Sequence, residues 1–209
     1  ATFTADENQT AIGTVTATDE DGDDVTFTVS GSELSITSAG VLSFTSAPNY
    51  ETKSSYTATV TANDGANSNT QAITVNINNL NDNAPSFTSN ATFTADENQT
   101  AIGTVTATDA DGDGIVFSIS GSEITINASS GVLTFASAPN YETKTSYSAT
   151  VTATDGVNAT SQNITVSITN LNDNSPFMNY IPLNNIIYIN EGHRLNVWDV
   201  ESIDNDNND

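Results

Sequence analysis

The stretch ATFTADENQTAIGTVTATD occupies residues 1–19 and recurs without a change at residues 91–109. The similarity continues along the chain through the motifs GSE, APNYETK and NLNDN, each of which occurs twice. The second copy is offset by 90 residues at first, and by 91 residues after one extra residue in NASSG. A fixed period of this kind is the sequence signature of a tandem-repeat protein. The first question is therefore what one repeat folds into.

Apolar and polar residues alternate within each repeat, which is the pattern of half-buried β-strands. The alternation is clearest in residues 25–29, 56–62 and 73–77. Threonine dominates the outward positions, where a β-branched polar side chain is favoured. No segment has the apolar periodicity of a helix. About seven short strands per repeat, separated by Gly, Asn and Asp turns, predict an all-β chain of tandem seven-stranded Greek-key sandwiches joined end to end.

The repeats also predict the domain organisation. The first sandwich is predicted over residues 1–83 and the second over residues 84–174, with NLNDN as the last motif of each. Residues 175–209 are predicted to begin a divergent third repeat, because YINEGHRLNVWDVESIDNDNND follows the pattern of FTADENQTAIGTVTATDEDGDD. This third repeat is incomplete, since a sandwich of this kind needs about 100 residues.

The composition limits the possible partners. The 209 residues include 26 acidic and only 3 basic side chains, and the formal charge is −23. This charge disfavours nucleic acid and anionic membrane surfaces as partners. A hydrophobic content of 36% and the regular alternation argue against a disordered acidic segment. Because the acids are clustered in a chain that can fold, they suggest a counter-ion, and Ca²⁺ is the simplest hard divalent candidate.

Other classes of site are absent from the sequence. There is no cysteine, so neither a disulfide framework nor a thiolate metal site can form. No stretch approaches the roughly 20 apolar residues that cross a bilayer, so no membrane span is predicted in this segment. These features permit an extracellular location.

The acidic residues fall at strand ends and in loops. Glu7 lies at a bend in the first strand, and Glu51 lies in the turn NYE. Because neighbouring strands run in opposite directions, both are expected at one end of the sandwich, beside the outgoing linker NLNDN. Asp19, Asp21 and Asp64 are expected together at the opposite end.

This pattern resembles the cadherin repeat. That family has a glutamate in the first strand, an acid-x-Glu motif in mid-domain, a D-x-N-D-N linker, a D-x-D loop and an A-x-D motif before the last strand. Here the motifs appear as DEN, NYE, NLNDN, TDAD and TATDG, in the family's order. The resemblance covers both full repeats and the start of the third. Near-identical repeats without cysteine look most like bacterial or marine-microbial cadherin-like arrays of a large surface adhesin.

The resemblance implies up to three Ca²⁺ ions at each interdomain junction, with the linker acting as a ligand strand. At the first junction the implied ligands are Glu7, Asn49, Glu51, Asn79, Asn81, Asp82, Asn83, Asp109, Asp111 and Asp155. At the second junction they are Glu97, Asn140, Glu142, Asn170, Asn172, Asp173, Asn174, Asp204 and Asp206. Six carboxylates in the first set match the charge of three divalent ions. The second set lacks an A-x-D partner, and Asp19, Asp21 and Asp64 lack an incoming linker.

Two positions depart from the family pattern. Asn49 stands where the family usually has Asp, and Asn79 replaces the first Asp of the linker. Each keeps an oxygen but removes a charge, so the ions held there are expected to bind more weakly. The loop after Asp111 is short, so a backbone carbonyl near Gly112 or Asp113 is expected to act as a ligand.

Two simpler interpretations compete with a cadherin-like site. DADGDG at residues 109–114 also matches the start of an EF-hand loop, but Ser120 stands where that loop needs Glu. The Asp and Asn clusters are also typical turn formers. The agreement of five motifs in order favours calcium ligation over either alternative.

The sequence therefore predicts a calcium-rigidified rod or adhesion module of an extracellular, cell-surface protein, without enzymatic activity. Neighbouring copies of itself, other surface proteins and glycans are the candidate partners beyond calcium. One alternative is a subunit of an extracellular fibre assembled by strand exchange, because residues 175–209 need completion. The other is a carbohydrate-binding module, which would need exposed aromatic residues on a flat face.

Overall fold

The computed structural model describes residues 1–175 and the backbone of two further strands, Phe177–Met178 and Ser202–Ile203. All regular structure in these described residues is β-strand. The predicted all-β class is therefore confirmed. None of the described segments forms a helix with the length and apolar character needed to cross a membrane.

The first sandwich contains seven strands. They are β1 (Thr2–Asp6), β2 (Ala11–Thr14), β3 (Thr26–Val29), β4 (Leu34–Ile36), β5 (Val41–Phe44), β6 (Ser55–Asn63) and β7 (Ser68–Asn78). One sheet has the order β1-β7-β6-β3 and the other the order β2-β5-β4. β1 runs parallel to β7, with Phe3 opposite Val75 and Ala5 opposite Ile77. The other pairings within these two sheets are antiparallel, as in a Greek-key sandwich.

The core of the first sandwich lies between these two sheets. The alternation predicted from sequence places Val60 on β6, Ile73 and Val75 on β7, and Leu42 on β5 in full burial. Removing a buried side chain of this size, as in Leu42→Ala, typically costs about 2–5 kcal/mol because a cavity remains. The core is thus a continuous apolar layer that fixes where each loop emerges.

The second sandwich repeats this arrangement. Its strands are β9 (Thr92–Asp96), β10 (Ala101–Thr104), β12 (Val116–Ile119), β13 (Ile124–Ile126), β14 (Val132–Phe135), β15 (Ser146–Thr154) and β16 (Ala159–Thr169). The sheets have the orders β12-β15-β16-β9 and β10-β14-β13. An additional pair joins β8 (Ser86–Phe87) to β11 (Ala107–Thr108). Beyond it, β17 (Phe177–Met178) pairs with β18 (Ser202–Ile203) in antiparallel fashion.

The contacts divide the chain into two compact units. The first contains residues 1–86 together with two loop segments, residues 108–115 and 154–159. The second contains residues 87–107, residues 116–153 and the described residues from 160 onward. Both loop segments therefore contact residues of the first unit, including the linker at 79–83. The boundaries at 83 and 174 stay a prediction, and most of the predicted third repeat lies outside the described residues.

Candidate metal centre

Glu7 is a buried carboxylate that connects three segments of the first unit. It follows β1 and is only 2% exposed. One of its oxygens accepts the backbone amide of Tyr50 and the other accepts that of Leu80, both at 2.8 Å. Asn8 follows with a φ of 64°, a left-handed conformation that Asn tolerates and that bends the chain here. Burial of a charged group is costly unless it is hydrogen-bonded, and these two amides meet that requirement.

Glu51 is presented by a tight turn that Asn49 caps. The side-chain oxygen of Asn49 accepts the backbone amide of Thr52 at 2.8 Å and its hydroxyl at 2.7 Å. The backbone amide of Lys53 closes the turn by donating to the carbonyl of Asn49 at 3.0 Å. Glu51 itself is exposed at the surface of the turn. The predicted metal ligand Asn49 is thus used as a turn cap, and its ligand role stays a prediction.

Asp111 binds the linker through hydrogen bonds. Its Oδ2 accepts the backbone amides of Asp82 at 3.1 Å and of Asn83 at 2.9 Å. Its Oδ1 accepts a hydrogen bond from the side-chain amide of Asn83 at 2.9 Å. Its backbone carbonyl accepts one from the side-chain amide of Asn79, also at 2.9 Å. Four donors from the linker therefore surround one residue of the 108–115 loop. Asn79 fills a structural position as well as a predicted ligand position.

Four carboxylates meet in this part of the first unit. Glu7, Glu51, Asp82 and Asp111 each bring one oxygen into a group whose members all lie within 4.8 Å of one another. They come from the bend after β1, the turn after β5, the linker and the 108–115 loop. Asn8 donates its side-chain amide to Oδ2 of Asp82. Four negative charges at this spacing repel one another strongly unless a cation or a proton intervenes.

The pKa values of two members shift in opposite directions. A hydrogen bond from its own backbone lowers the pKa of Glu51, but desolvation, a hydrogen bond with Asp111 and the charge of Glu7 together raise it above the ordinary value. Desolvation raises the pKa of Asp111, yet hydrogen bonds from Asn83, Glu51 and Asp82 outweigh it and lower the pKa. Of these two residues, Glu51 is therefore the one expected to take up a proton first as pH falls. A divalent cation would compete with that proton.

Asp109 and Asp155 each keep one buried oxygen without a hydrogen-bond partner. The Oδ1 of Asp109 accepts the amide of Asp111 at 3.0 Å, and the Oδ1 of Asp155 accepts those of Val157 and Asn158 at 2.7 and 2.6 Å. The Oδ2 of each is the unpartnered atom. An unpaired buried carboxylate oxygen is costly, so each of these two atoms is a candidate donor to a cation. Both residues were predicted as ligands from sequence.

The structure adds one residue that sequence analysis missed, Asn158, and the side chain of Asp113, which was expected to contribute only a backbone carbonyl. The side-chain amide of Asn158 donates to the side-chain oxygen of Asn81 at 3.0 Å and to the carbonyl of Asn83 at 3.3 Å. The side chain of Asp113 joins Asp109 and Asp111 in a second group of carboxylates within 4.8 Å. A signal for the first existed, because both repeats place Asn three residues after the A-x-D aspartate, in DGAN and DGVN.

A third carboxylate cluster forms within the second unit. Glu97 is 1% exposed, and its two oxygens accept the amides of Tyr141 and Leu171 at 2.8 Å. Glu97, Glu142 and Asp173 bring oxygens within 4.8 Å of one another. Glu97 therefore accepts the same two kinds of backbone amide as Glu7, one from the turn after a strand and one from the linker that follows its own repeat.

The remaining predicted ligands of the second junction are only partly placed. Asn140 caps its turn through Thr143, as Asn49 does through Thr52. Asn174 donates its side-chain amide to Asp173 at 2.8 Å. Asn170 and Asn172 lie in the segment after β16. The predicted ligands Asp204 and Asp206 lie outside the described residues.

Asp19, Asp21 and Asp64 fall at loops of the first sandwich. The Oδ1 of Asp19 accepts the amide of Asp21 at 2.9 Å, and Asp64 accepts those of Ala66 and Asn67 at 2.7 and 2.6 Å. Asp19 and Asp64 line one shallow pocket. Two of the three aspartates expected together thus line the same pocket, and the placement of Asp21 with Asp64 stays a prediction.

Comparison with known proteins gives two family matches. The cadherin domain matches residues 91–169, and the bacterial Ig domain matches residues 1–78. Because residues 1–19 and 91–109 are identical and both repeats form the same sandwich, the two matches describe one type of module. The DEN, NYE and NLNDN motifs occur in both repeats.

Individual relatives agree with the first match. Protocadherin Fat 4 of Homo sapiens is 31% identical over 163 residues, which are 71% of this chain and 3% of that protein. Cadherin-23 of Homo sapiens is 29% identical over 208 residues, which are 91% of this chain and 6% of that protein. The chain belongs to the cadherin family. It spans only a small fraction of these relatives' length. Among solved structures, the crystal structure of mouse cadherin-23 EC22-24 is similar in fold, with a TM-score of 0.70 at 24% identity. The match covers 86% of this chain and 66% of the chain in that structure.

The donor set of this cadherin segment fits a hard cation. The groups that form the first cluster are carboxylate oxygens, and the two described lysines pair elsewhere, with Glu33 and Glu123. Ca²⁺ takes 6–8 oxygen ligands in flexible geometry, whereas transition metals favour nitrogen or sulfur. The unpartnered oxygens of Asp109 and Asp155 are two further donors of the right kind. The residues present therefore fit calcium.

Proposed function

We propose that this cadherin segment binds Ca²⁺ at the cluster of Glu7, Glu51, Asp82 and Asp111, and that calcium makes tandem repeats a stiff extender of an extracellular adhesive protein. The observation that carries the proposal is the convergence of four carboxylates from four chain segments within 4.8 Å. Three of these segments belong to the first repeat and its linker, and the fourth is the loop before β12. A cation bound there would tie the loop to the linker.

The proposed ligand set extends beyond these four residues. Asp109 and Asp155 would contribute their unpartnered oxygens, and Asn81 and Asn83 offer side-chain or backbone oxygens in the same linker. Calcium supplies positive charge that removes the mutual repulsion of the carboxylates. The number of ions is part of the proposal: six carboxylates balance three divalent cations. Glu97, Glu142 and Asp173 would hold calcium in the same way in the second unit.

The expected affinity follows from the class of site. Extracellular calcium modules bind at about 10⁻⁴ to 10⁻³ M. At ten times its dissociation constant, one ion stabilises the bound form by roughly 1.4 kcal/mol. Because this chain has Asn at positions 49 and 79, where the family usually has Asp, its dissociation constants for calcium are expected near the upper end of this range. Several ions at one junction would therefore be needed for a stiff connection.

Calorimetric titration of the chain with calcium tests the proposal. The wild type is expected to bind with dissociation constants in the range above, and Asp82→Ala and Asp111→Ala are expected to lose the sites of the first unit. Small-angle scattering with and without chelator then tests the mechanical role, which predicts a change in maximum dimension. Absence of calcium binding at millimolar concentration would refute the site. Binding with an unchanged dimension would refute the stiffening role only.

The structure gives less support to the alternative functions. Tyr56 and Tyr147 pack edge-on against Phe44 and Phe135 at 5.0 Å, and a lysine covers each tyrosine ring. They are therefore placed as core-edge residues and not as a platform for a sugar. Fibre assembly by strand exchange depends on residues 175–209, which lie almost entirely outside the described residues, and it stays a prediction. An adhesive or structural role is favoured over an enzymatic one.

A further inference from the structure

Both lysines in residues 1–175 are held in the same arrangement. The ammonium of Lys53 lies 2.6 and 2.7 Å from the two carboxylate oxygens of Glu33, and 4.3 Å from the centre of the Tyr56 ring. Lys144 makes the same contacts with Glu123 at 2.6 and 2.7 Å and with Tyr147 at 4.2 Å. Each ammonium therefore has a bidentate carboxylate on one side and an aromatic face on the other.

Each of these lysines stands two residues after a carboxylate of the candidate metal centre. Lys53 follows Glu51, and Lys144 follows Glu142. Residues two apart are at most about 7 Å apart along the chain. The flexible four-carbon stem of lysine can span that distance and bring its ammonium to the neighbouring carboxylate. The cluster at Glu51 is a strong attractor for a cation, because its oxygens lie within 4.8 Å of three other carboxylates.

A lysine at the cluster would compete with a metal ion. Its ammonium would neutralise one of the four carboxylates and occupy the oxygens that a divalent cation needs. In the structure the Lys53 ammonium instead contacts the carboxylate of Glu33. Exposed ion pairs contribute little to stability, and the side chains of Lys53 and Glu33 are 42% and 54% exposed. The pair therefore matters for where it places the Lys53 ammonium and contributes little to the stability of the fold.

We propose that Glu33 and Tyr56 hold the Lys53 ammonium away from Glu51, and so preserve the negative charge of the cluster for a divalent cation. Glu33 is then a positioning residue that acts through Lys53, and Glu123 acts in the same way for Glu142. This inference rests on the proposed calcium function. It assigns a role in calcium affinity to a surface ion pair outside the ligand set.

The test is a set of variants titrated with calcium by calorimetry in the full chain. Glu33→Gln removes the competing carboxylate but keeps the size of the side chain. It is expected to weaken calcium binding at the first cluster about two- to fivefold. This factor corresponds to the strength of one exposed ion pair, here the pair of Lys53 with Glu51 that calcium would have to displace in the variant. The double variant Glu33→Gln/Lys53→Met is expected to return to wild-type affinity. Glu20→Gln, which removes one exposed carboxylate elsewhere, is the matched control for net charge and is expected to bind as the wild type does.

A second measurement follows the lysine directly. With the side-chain ε-carbon of lysine labelled by ¹³C, Lys53 and Lys144 give separate NMR signals, which Lys53→Met assigns. In chelator, Glu33→Gln is expected to move the Lys53 signal, and a further Glu51→Gln is expected to reverse most of that shift. The Lys144 signal is expected to stay in place throughout. This part of the test needs no bound metal.

The outcomes separate the inference from the function on which it rests. Wild-type chain that binds no calcium refutes the proposed function, while the NMR series in chelator still decides where Lys53 goes. A Glu33→Gln variant with wild-type affinity overturns the inference. So does a weakened variant that Lys53→Met fails to rescue, because Glu33 would then act on the turn and not through the lysine. A Lys53 signal insensitive to Glu51→Gln has the same consequence.

Discussion

Replacing Glu7 with Ala is the sharpest test of how the centre is built. The change leaves the amides of Tyr50 and Leu80 without the acceptors that they contact at 2.8 Å. Hydrogen bonds to a charged group contribute about 1.5–3 kcal/mol each, so the loss of both costs roughly 3–6 kcal/mol. Removal of one negative charge from the cluster offsets part of this loss. We therefore expect the free energy of unfolding of the first repeat to fall by about 3 kcal/mol.

Hydrogen exchange in the presence of chelator measures this effect without any contribution from metal. The amides of Tyr50 and Leu80 are expected to lose protection in Glu7→Ala. Glu7→Gln keeps one acceptor oxygen, so it is expected to preserve one of the two hydrogen bonds and to cost about half as much. Tyr141 and Leu171, which contact Glu97 in the second repeat, provide an internal reference in the same sample.

The result that refutes this reasoning is simple to recognise. If Tyr50 and Leu80 remain as protected in Glu7→Ala as in the wild type, and the denaturation midpoint is unchanged, Glu7 does not hold the turn and the linker together. Its burial would then have no structural consequence. A loss of protection at Tyr141 as well would indicate a general effect of charge.

Three further predictions concern calcium and pH. Asp155→Ala is expected to weaken calcium binding about tenfold or more, whereas Asp64→Ala, at the same position of the first repeat, is expected to leave binding by calorimetry unchanged. Calcium affinity is expected to fall as pH decreases through the raised pKa of Glu51, because protons compete for this carboxylate, and Glu51→Gln should flatten that dependence in titrations at several pH values. Hydrogen bonds from the amides of Asn67 and Ala66 lower the pKa of Asp64, so its contribution to stability is present above the unfolded value and lost as pH falls through the lower folded value. Thermal unfolding below about pH 4 should therefore depend less on pH in Asp64→Asn than in the wild type.

Most of the fold follows from local periodicity. Strands β3, β6 and β7 coincide with the alternating segments of the sequence, and their apolar positions face the core because every second residue faces the same side of a sheet. The pair of β8 and β11 was missed, since two-residue strands carry no period. The register shift between β2 and β5 near Gly13 was also beyond sequence reasoning, because a bulge depends on the partner strand.

The site could be predicted only in part. Glu7, Glu51, Asp82 and Asp111 were identified by their motifs, and the structure brings them together. Asn49 was predicted as a ligand, with turn formation as the competing interpretation, and the structure uses its side-chain oxygen to accept the amide three residues ahead. The contribution of Asn158 was missed because its partners, in the linker, are 75 and 77 residues away.

The unchanged stretch at residues 1–19 and 91–109 explains why local sequence cannot define this centre. Asp19 and Asp109 occupy the same position, and each accepts the amide two residues ahead, at 2.9 and 3.0 Å. The local turn is therefore the same in both places. Asp111 differs from its counterpart Asp21 in its surroundings, because the backbone amides of the linker donate to its carboxylate. Metal-binding capacity thus belongs to a combination of segments that are distant in sequence, because the cluster at Asp111 forms only where Glu7, Glu51 and Asp82 also bring their carboxylates.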